Sequence, residues 1–121
     1  GKTSLQMLYH EVGHAYSTEV NILKAQALKI KVPTEGFGQS YVKNHIANAA
    51  DPKKVKRGVE RISGYVKSSL NSTTYPWGPD EAWAESFASQ MLGTTERIPD
   101  WLLNKMRLEM DGFYKFKFPA P

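Results

Sequence analysis

Cysteine is absent from the sequence, and this limits the chemistry that its side chains can supply. Without thiols the chain has neither a disulfide scaffold nor a thiolate nucleophile or metal ligand. Any metal site must therefore be built from histidine, aspartate and glutamate. Long hydrophobic runs are missing as well, since no stretch approaches the roughly eighteen apolar residues that a membrane span needs. We therefore expect no membrane-spanning segment.

The composition is that of a single globular domain with a mildly basic charge. A chain of 121 residues holds one core, and 40% hydrophobic with 23% charged residues argues against a disordered chain. Sixteen basic residues against 12 acidic ones give a net charge of +4, which is weak support for an anionic partner. The chain starts at Gly1 and shows no signal peptide. We expect residues 1–121 to be one domain, excised or processed from a longer protein.

Apolar residues recur at helical spacing through most of the sequence. The capping-box pair Thr3 and Gln6 marks the start of a first helix, and Gly93 is expected to end a later one. The predicted helices cover about 4–25, 41–50, 52–70, 80–92 and 100–112. Gly58 and Gly64 lie inside the third of these, where each costs about 1 kcal/mol relative to alanine, so we expect that helix to bend or break.

Two short segments alternate apolar and polar residues in the way that strands do. Residues 28–32 show this pattern, although they can equally form the tail of the first helix. Residues 113–118 place lysines between aromatic residues and are predicted to form a short edge strand. The segment 33–40, with one proline and two glycines, is predicted to be a loop. We therefore expect a mainly α fold, or an α+β fold with at most a small sheet.

A basic cluster lies within the predicted helix over 52–70. Its six members are Lys53, Lys54, Lys56, Arg57, Arg61 and Lys67. They lie off the apolar stripe of that helix, and Lys56 is spaced to pair with Glu60, so the simpler interpretation is a solvated outer face. The alternative is a surface that docks on nucleic acid or another anionic partner.

The strongest chemical signal is His10-Glu11-Val12-Gly13-His14, because His-Glu-x-x-His on a helix is a zinc-site pattern. Four residues turn a helix by about 400° and advance it by about 6 Å, so His10 and His14 face the same way one turn apart. Glu11 lies beside them, where a carboxylate can act as general base on a zinc-activated water without being a ligand. Gly13 indicates that another segment approaches this helix closely. The competing interpretation is two surface histidines on an amphipathic helix.

Two histidines leave a catalytic zinc site incomplete, because such sites use three protein ligands and one open position. Glu81 and Glu85 stand four residues apart on a largely apolar predicted helix, so both carboxylates need a partner. We assign Glu81, in the first turn, as the third metal ligand. Glu85 is assigned as the carboxylate that accepts the second ring N–H of a ligand histidine. His45 is the alternative third ligand or oxyanion donor.

Together these motifs resemble those of a known family. His10-Glu11-x-x-His14 and Glu81-x-x-Ala84-Glu85-x-Phe87-Ala88 are similar to the zincin metallopeptidases of the gluzincin type, whose third ligand is a glutamate on a downstream helix. The pattern most resembles the anthrax lethal factor and clostridial Pro-Pro endopeptidase family. A second similarity is to the ImmA-type peptidases that cleave phage repressors. The resemblance covers residues 8–16 and 75–92.

The resemblance implies a zincin-like domain that hydrolyses peptide bonds with Zn²⁺ held by His10, His14 and Glu81. Tyr75 matches a tyrosine that precedes the third-ligand helix in that family, which implies that it stabilises the transition state. The other interpretation of Tyr75 is a core or turn aromatic. Zincins usually place a β-sheet before the motif helix, whereas nine residues precede His10 here. We therefore expect either a domain truncated at its N-terminus or a sheet that strands near 28–32 and 114–118 replace.

The expected partner of a zinc metalloendopeptidase is a peptide or protein substrate. We expect the chain to act as a monomer or within a larger polypeptide, and nucleic acid is disfavoured as a partner. A secreted or delivered protein, toxin-like or phage-associated, is favoured over a cytoplasmic one. The alternatives to a peptidase are a basic helical binding module and a zincin-like domain without activity.

Overall fold

A computed structural model describes residues 4–117 of the chain. These residues form six helices and no strand, so the expected mainly α class is confirmed. In chain order the helices are α1 (Ser4–Leu28), α2 (Phe37–Ala47), α3 (Pro52–Glu60), α4 (Gly64–Leu70), α5 (Gly78–Leu92) and α6 (Asp100–Lys117). None of the described helices combines the length and the apolarity that crossing a membrane requires.

Of the two alternatives for residues 28–32, a strand or the tail of the first helix, the strand does not form. α1 continues to Leu28 and closes with a Schellman arrangement, in which Lys29 adopts a left-handed φ of 56°. The Lys29 N–H donates to the Gln26 carbonyl at 3.3 Å, and the Ile30 N–H donates to the Ala25 carbonyl at 3.0 Å. The alternation in the sequence therefore marks the end of a helix and the start of a connecting segment.

The strand predicted over 113–118 is wrong for the residues that the structure describes. α6 continues to Lys117, and Phe118 lies outside the described residues. Residues 4–117 contain no strand that this segment can pair with. Because backbone N–H groups need acceptors, those of the segment find them in the preceding turn of the helix.

The helix predicted over 52–70 is divided into α3 and α4. The Ser63 side chain begins α4 by accepting a hydrogen bond from the Val66 N–H at 3.1 Å. The expected interruption is therefore confirmed. It occurs next to Gly64 and not at Gly58, which lies inside α3.

α2 begins at Phe37, within the segment predicted to be a loop. Gly38, near its start, is tightly packed, since a Cβ there would lie 2.3 Å from Trp83 Cγ. Glycine at this position lets α2 approach the indole ring of α5. The glycines of residues 33–40 therefore misled the prediction, because close packing and turns favour the same residue type.

α5 is the central helix of the domain. It contacts α1, α2, α4 and α6, and residues 81–88 are all buried. Trp83 packs in the core with buried aliphatic residues from other helices, namely Val42, Val59, Val66, Leu102 and Met106. Because α5 is enclosed on several sides, the carboxylates that it carries lie inside the protein.

α1 packs on α5 through small and polar residues. The buried positions of α1 are His10, Gly13, Ser17, Val20 and Ala25. A Cβ on Gly13 would lie 2.9 Å from Ala84 Cα, so the predicted close approach is confirmed and the approaching segment is α5. By contrast with these buried positions, the larger apolar side chains of Leu5, Leu8 and Val12 are 48%, 58% and 42% exposed. This packing sets the two histidines of α1 against the first turns of α5.

Candidate metal centre

Three side chains converge where α1 packs against the start of α5. The Nε2 atoms of His10 and His14 are 3.0 Å apart. Glu81 Oε2 lies 2.9 Å from His10 Nε2, and Glu81 Oε1 lies 3.0 Å from His14 Nε2. His10 and Glu81 are buried and His14 is partly buried. The group formed by these three residues can hold a metal ion.

Carboxylates fix the orientation of both imidazole rings. His10 donates its Nδ1–H to Glu85 Oε2 at 3.0 Å, and His14 donates its Nδ1–H to Asp80 Oδ2 at 2.6 Å. An ionised carboxylate can only accept, so Nδ1 carries the hydrogen in each ring and a neutral ring presents its Nε2 lone pair toward Glu81. Two lone pairs and a carboxylate that face one another need a cation between them. A metal ion meets this need.

A further set of hydrogen bonds holds these carboxylates in place. Glu85 Oε1 accepts from the Ser63 hydroxyl at 3.1 Å, and Asp80 Oδ1 accepts from the Ser17 hydroxyl at 3.3 Å. The Asp80 N–H donates to Gln39 Oε1 at 2.9 Å. Helices α1, α2, α4 and α5 all contribute to the support of the centre, so its geometry depends on the whole fold.

The pKa values of His14 and Glu81 also indicate that a positive charge is favoured between these side chains. The hydrogen bond to Asp80, followed by the one to Glu81, raises the pKa of His14 to about 10. Burial raises the pKa of the Glu81 carboxyl, but the hydrogen bonds from His10 and His14 outweigh burial and hold that pKa well below its usual range. In the metal-free protein a proton therefore supplies the positive charge that a metal ion would supply.

Glu11 lies at the edge of the cluster. Its side chain is exposed, and helical periodicity sets it about 100° from His10 and about 60° from His14 around the axis of α1. It does not belong to the group that can hold a metal ion. Glu11 is thus an exposed residue of α1 between the two histidines, and its role as a base that is not a ligand stays a prediction.

Two tyrosines border Glu81. The Tyr75 hydroxyl donates to Glu81 Oε1 at 3.0 Å. Partial burial, followed by this hydrogen bond, raises the pKa of Tyr75 to about 12. Tyr65 in α4 also forms a hydrogen bond with Glu81, and its ring meets that of His10 edge-on with centroids 5.9 Å apart. Two protonated hydroxyls therefore lie next to the carboxylate of the cluster at neutral pH.

Asp80, Ser63 and Tyr65 are neighbours of the centre that the sequence interpretation missed. Asp80 had a local signal, because it directly precedes Glu81 at the start of a largely apolar helix. Ser63 and Tyr65 lie outside both motifs, and only the packing of α4 against α5 brings them to the centre. No pattern in the sequence marks such residues.

His45 does not reach the two histidines of α1. It lies in α2, where its ring stacks on that of Trp101 with centroids 3.8 Å apart and an angle of 9° between the planes. The structure thus brings Glu81, and not His45, to His10 and His14.

The interpretation of this centre rests on its own geometry. No family model, curated protein or solved structure matches the chain. The similarity to zincin metallopeptidases accordingly stays a hypothesis, carried by two short motifs and by the arrangement of their side chains.

Proposed function

We propose that the protein is a zinc metallopeptidase with a zincin-like catalytic centre. The observation that carries the proposal is the pair of Nδ1–H hydrogen bonds to Glu85 and Asp80, which turn both Nε2 atoms toward Glu81. Histidines that bind metals commonly donate their second N–H to a carboxylate, which fixes the tautomer and the ring orientation. Two unrelated surface histidines would not be expected both to donate Nδ1–H to a carboxylate.

The donor set and its spacing support zinc as the ion. Two imidazole nitrogens and one carboxylate oxygen are the protein ligands of known zinc hydrolases, and they leave a fourth position open. Donor atoms roughly 2.0–2.2 Å from a tetrahedral zinc ion lie about 3.4 Å from one another. Here the two Nε2 atoms are 3.0 Å apart, and each lies 2.9–3.0 Å from a different oxygen of the Glu81 carboxylate. One ligand atom from each residue lies within 4.8 Å of the other two, so side-chain adjustments would bring the three to the spacing of a zinc site.

The residues around the ligands suit the hydrolysis of a peptide bond. When bound, zinc lowers the pKa of a coordinated water to about 7 and polarises the scissile carbonyl. Glu11 accepts a proton from the attacking water as the C–O bond forms, and it returns that proton to the amine nitrogen as the C–N bond breaks. Tyr75 donates to Glu81 Oε1 in the structure, and in the proposed reaction its hydroxyl gives up this hydrogen bond and donates to the carbonyl oxygen as negative charge develops there.

The surroundings of Glu81 suit a polypeptide as substrate. Tyr65, Tyr75 and Trp77 are 47%, 39% and 44% exposed, so three aromatic side chains reach solvent in this region. Such side chains combine a large apolar face with a polar group that forms hydrogen bonds. They can therefore contact an extended peptide, whose backbone also offers hydrogen-bonding groups.

The proposal is tested by peptide hydrolysis with a matched pair of variants. The zinc-loaded protein is incubated with a peptide library, and products are identified by mass spectrometry. We expect cleavage by the wild type and a rate lowered by about 10²-fold or more in Glu11→Gln, because general base catalysis contributes on that order. Glu19→Gln, on the same helix two turns further on, serves as the control with unchanged activity.

Zinc content is measured on each preparation, so that loss of the base is separated from loss of the metal. Full hydrolysis by Glu11→Gln would show that Glu11 is not the base. A wild-type protein that holds one zinc ion but cleaves no peptide would contradict a peptidase and favour the zincin-like domain without activity.

A further inference from the structure

Part of the basic cluster lines a groove between α3, α4 and the segment that precedes α6. Four cationic side chains border this groove, namely Arg57, Arg61, Lys67 and Arg97, and its volume is about 890 Å³. Among the described residues none of the four forms an ion pair. The positive charge of the groove is therefore available to a partner.

The groove adjoins the candidate metal centre through the residues at the start of α4. Ser63 lines the groove, and its hydroxyl donates to Glu85, which in turn accepts from His10. Tyr65, two residues further along, meets the His10 ring and bonds to Glu81. Two side chains in contact, Ser63 and Glu85, thus connect the groove to the His10 ring.

We propose that this groove binds an acidic segment of a polypeptide and guides it to the metal centre. Two carboxylates, Glu60 and Glu96, interrupt the positive lining, and Ile98 with Pro99 gives part of the wall an apolar character. A mixed lining of this kind matches a polypeptide with acidic, occasional basic and apolar side chains. Among the described residues that line the groove there is no aromatic ring for base stacking, which disfavours a single-stranded nucleic acid.

The groove is part of a substrate site only if the proposed peptidase function holds. Its affinity for an acidic polypeptide does not depend on that function. Binding is therefore measured in a Glu11→Gln background, in which cleavage does not interfere. The probe is a fluorescent peptide of alternating glutamate and glycine with ten carboxylates, and affinity is followed by anisotropy at two salt concentrations. We expect saturable binding that weakens with salt, because exposed charges are screened.

Two triple variants of equal net charge test the location of the site. Replacing Arg57, Arg61 and Arg97 by glutamine is expected to weaken binding at least tenfold. The control replaces Lys31, Lys53 and Lys54 by glutamine; these lysines are exposed and lie outside the groove. We expect the control variant to bind the peptide less than twofold more weakly than the parent protein. The single variant Arg61→Gln is expected to weaken binding about threefold, and it gives a result even if the triple variant folds poorly.

Three results would overturn the proposal. One is equal weakening in both triple variants, which would show that only net charge matters. Another is the lack of saturable binding up to millimolar peptide. The third is a decathymidylate that binds more tightly than the peptide, which would assign the groove to nucleic acid. None of these results depends on whether the protein hydrolyses peptides.

Discussion

Replacing Gly13 by alanine should weaken both the fold and the metal centre, because α1 and α5 meet at this residue. The added Cβ would lie 2.9 Å from Ala84 Cα, 3.0 Å from Phe87 Cβ and 3.1 Å from the Ala84 carbonyl oxygen. Two of these three atoms belong to the backbone of a buried helix, so they do not move aside as a flexible side chain would. The two helices must therefore separate.

The expected size of the effect follows from two opposing contributions. Alanine favours a helix over glycine by about 1 kcal/mol, whereas overpacking a closely packed contact costs about 1–3 kcal/mol. Because the contact is with helix backbone that cannot move aside, we expect a steric cost of about 2–3 kcal/mol and therefore a net loss of about 1–2 kcal/mol. For a domain of 121 residues this lowers Tm by about 4–8 °C.

The same separation should affect metal binding. His10 and His14 lie on α1 and Glu81 lies on α5, so moving the helices apart lengthens the 2.9 Å and 3.0 Å contacts between them. We expect zinc affinity to fall by about tenfold, since mutations that disturb the orientation of metal ligands typically cost 10–100-fold. Affinity is measured by competition with a chromophoric chelator, and Tm is measured on the metal-free protein.

Gly58→Ala is the matched control, since a Cβ on Gly58 meets no atom within 4 Å. This glycine also lies inside a helix, so its replacement should raise Tm by about 2–4 °C and leave zinc affinity unchanged. If Gly13→Ala raised Tm to the same extent and bound zinc as tightly as the wild type, the close contact between α1 and α5 would be refuted.

Three further predictions concern the centre itself. Asp80→Asn should lower zinc affinity by about 10–100-fold, because it removes the carboxylate that orients His14; chelator competition checks this, and unchanged affinity would contradict it. Tyr75→Phe should lower kcat of peptide hydrolysis by about 10²-fold with KM and zinc content nearly unchanged, whereas a loss confined to KM would assign Tyr75 to substrate binding. Zinc must displace the proton that His14 holds with a pKa of about 10, so apparent zinc affinity should rise about tenfold per pH unit between roughly pH 7 and 9. Calorimetry in buffers of different ionisation enthalpy should show one proton released, and the absence of release would contradict the raised pKa.

The parts of the centre that the sequence predicts are those with a local signal. The spacing of His10 and His14 on a helix predicts that their rings face the same way, and the structure places their Nε2 atoms 3.0 Å apart. Glu81 and Glu85 were predicted to need partners because their helix is apolar, and both contact His10. Helical periodicity and the burial of charge act within a few residues, so sequence alone reveals them.

The remaining features depend on contacts between distant segments. Tyr65 and Ser63 reach the centre only because α4 packs on α5, and the sequence around Gly38 does not show that this glycine packs against Trp83. The two predicted strands failed for a related reason, since a strand needs a partner that the described residues do not offer. The expectations of a longer parent protein and of a secreted or delivered location stay predictions.

Zinc stoichiometry tests the central claim most directly. The wild-type protein, His10→Ala and Glu81→Gln are equilibrated with equimolar zinc, desalted and analysed by plasma mass spectrometry. We predict one zinc ion per wild-type chain, and less than about a tenth of that in each variant, since removing one of three ligands weakens such sites strongly. A wild-type protein without bound zinc, or variants that retain it in full, would contradict a metal centre at His10, His14 and Glu81.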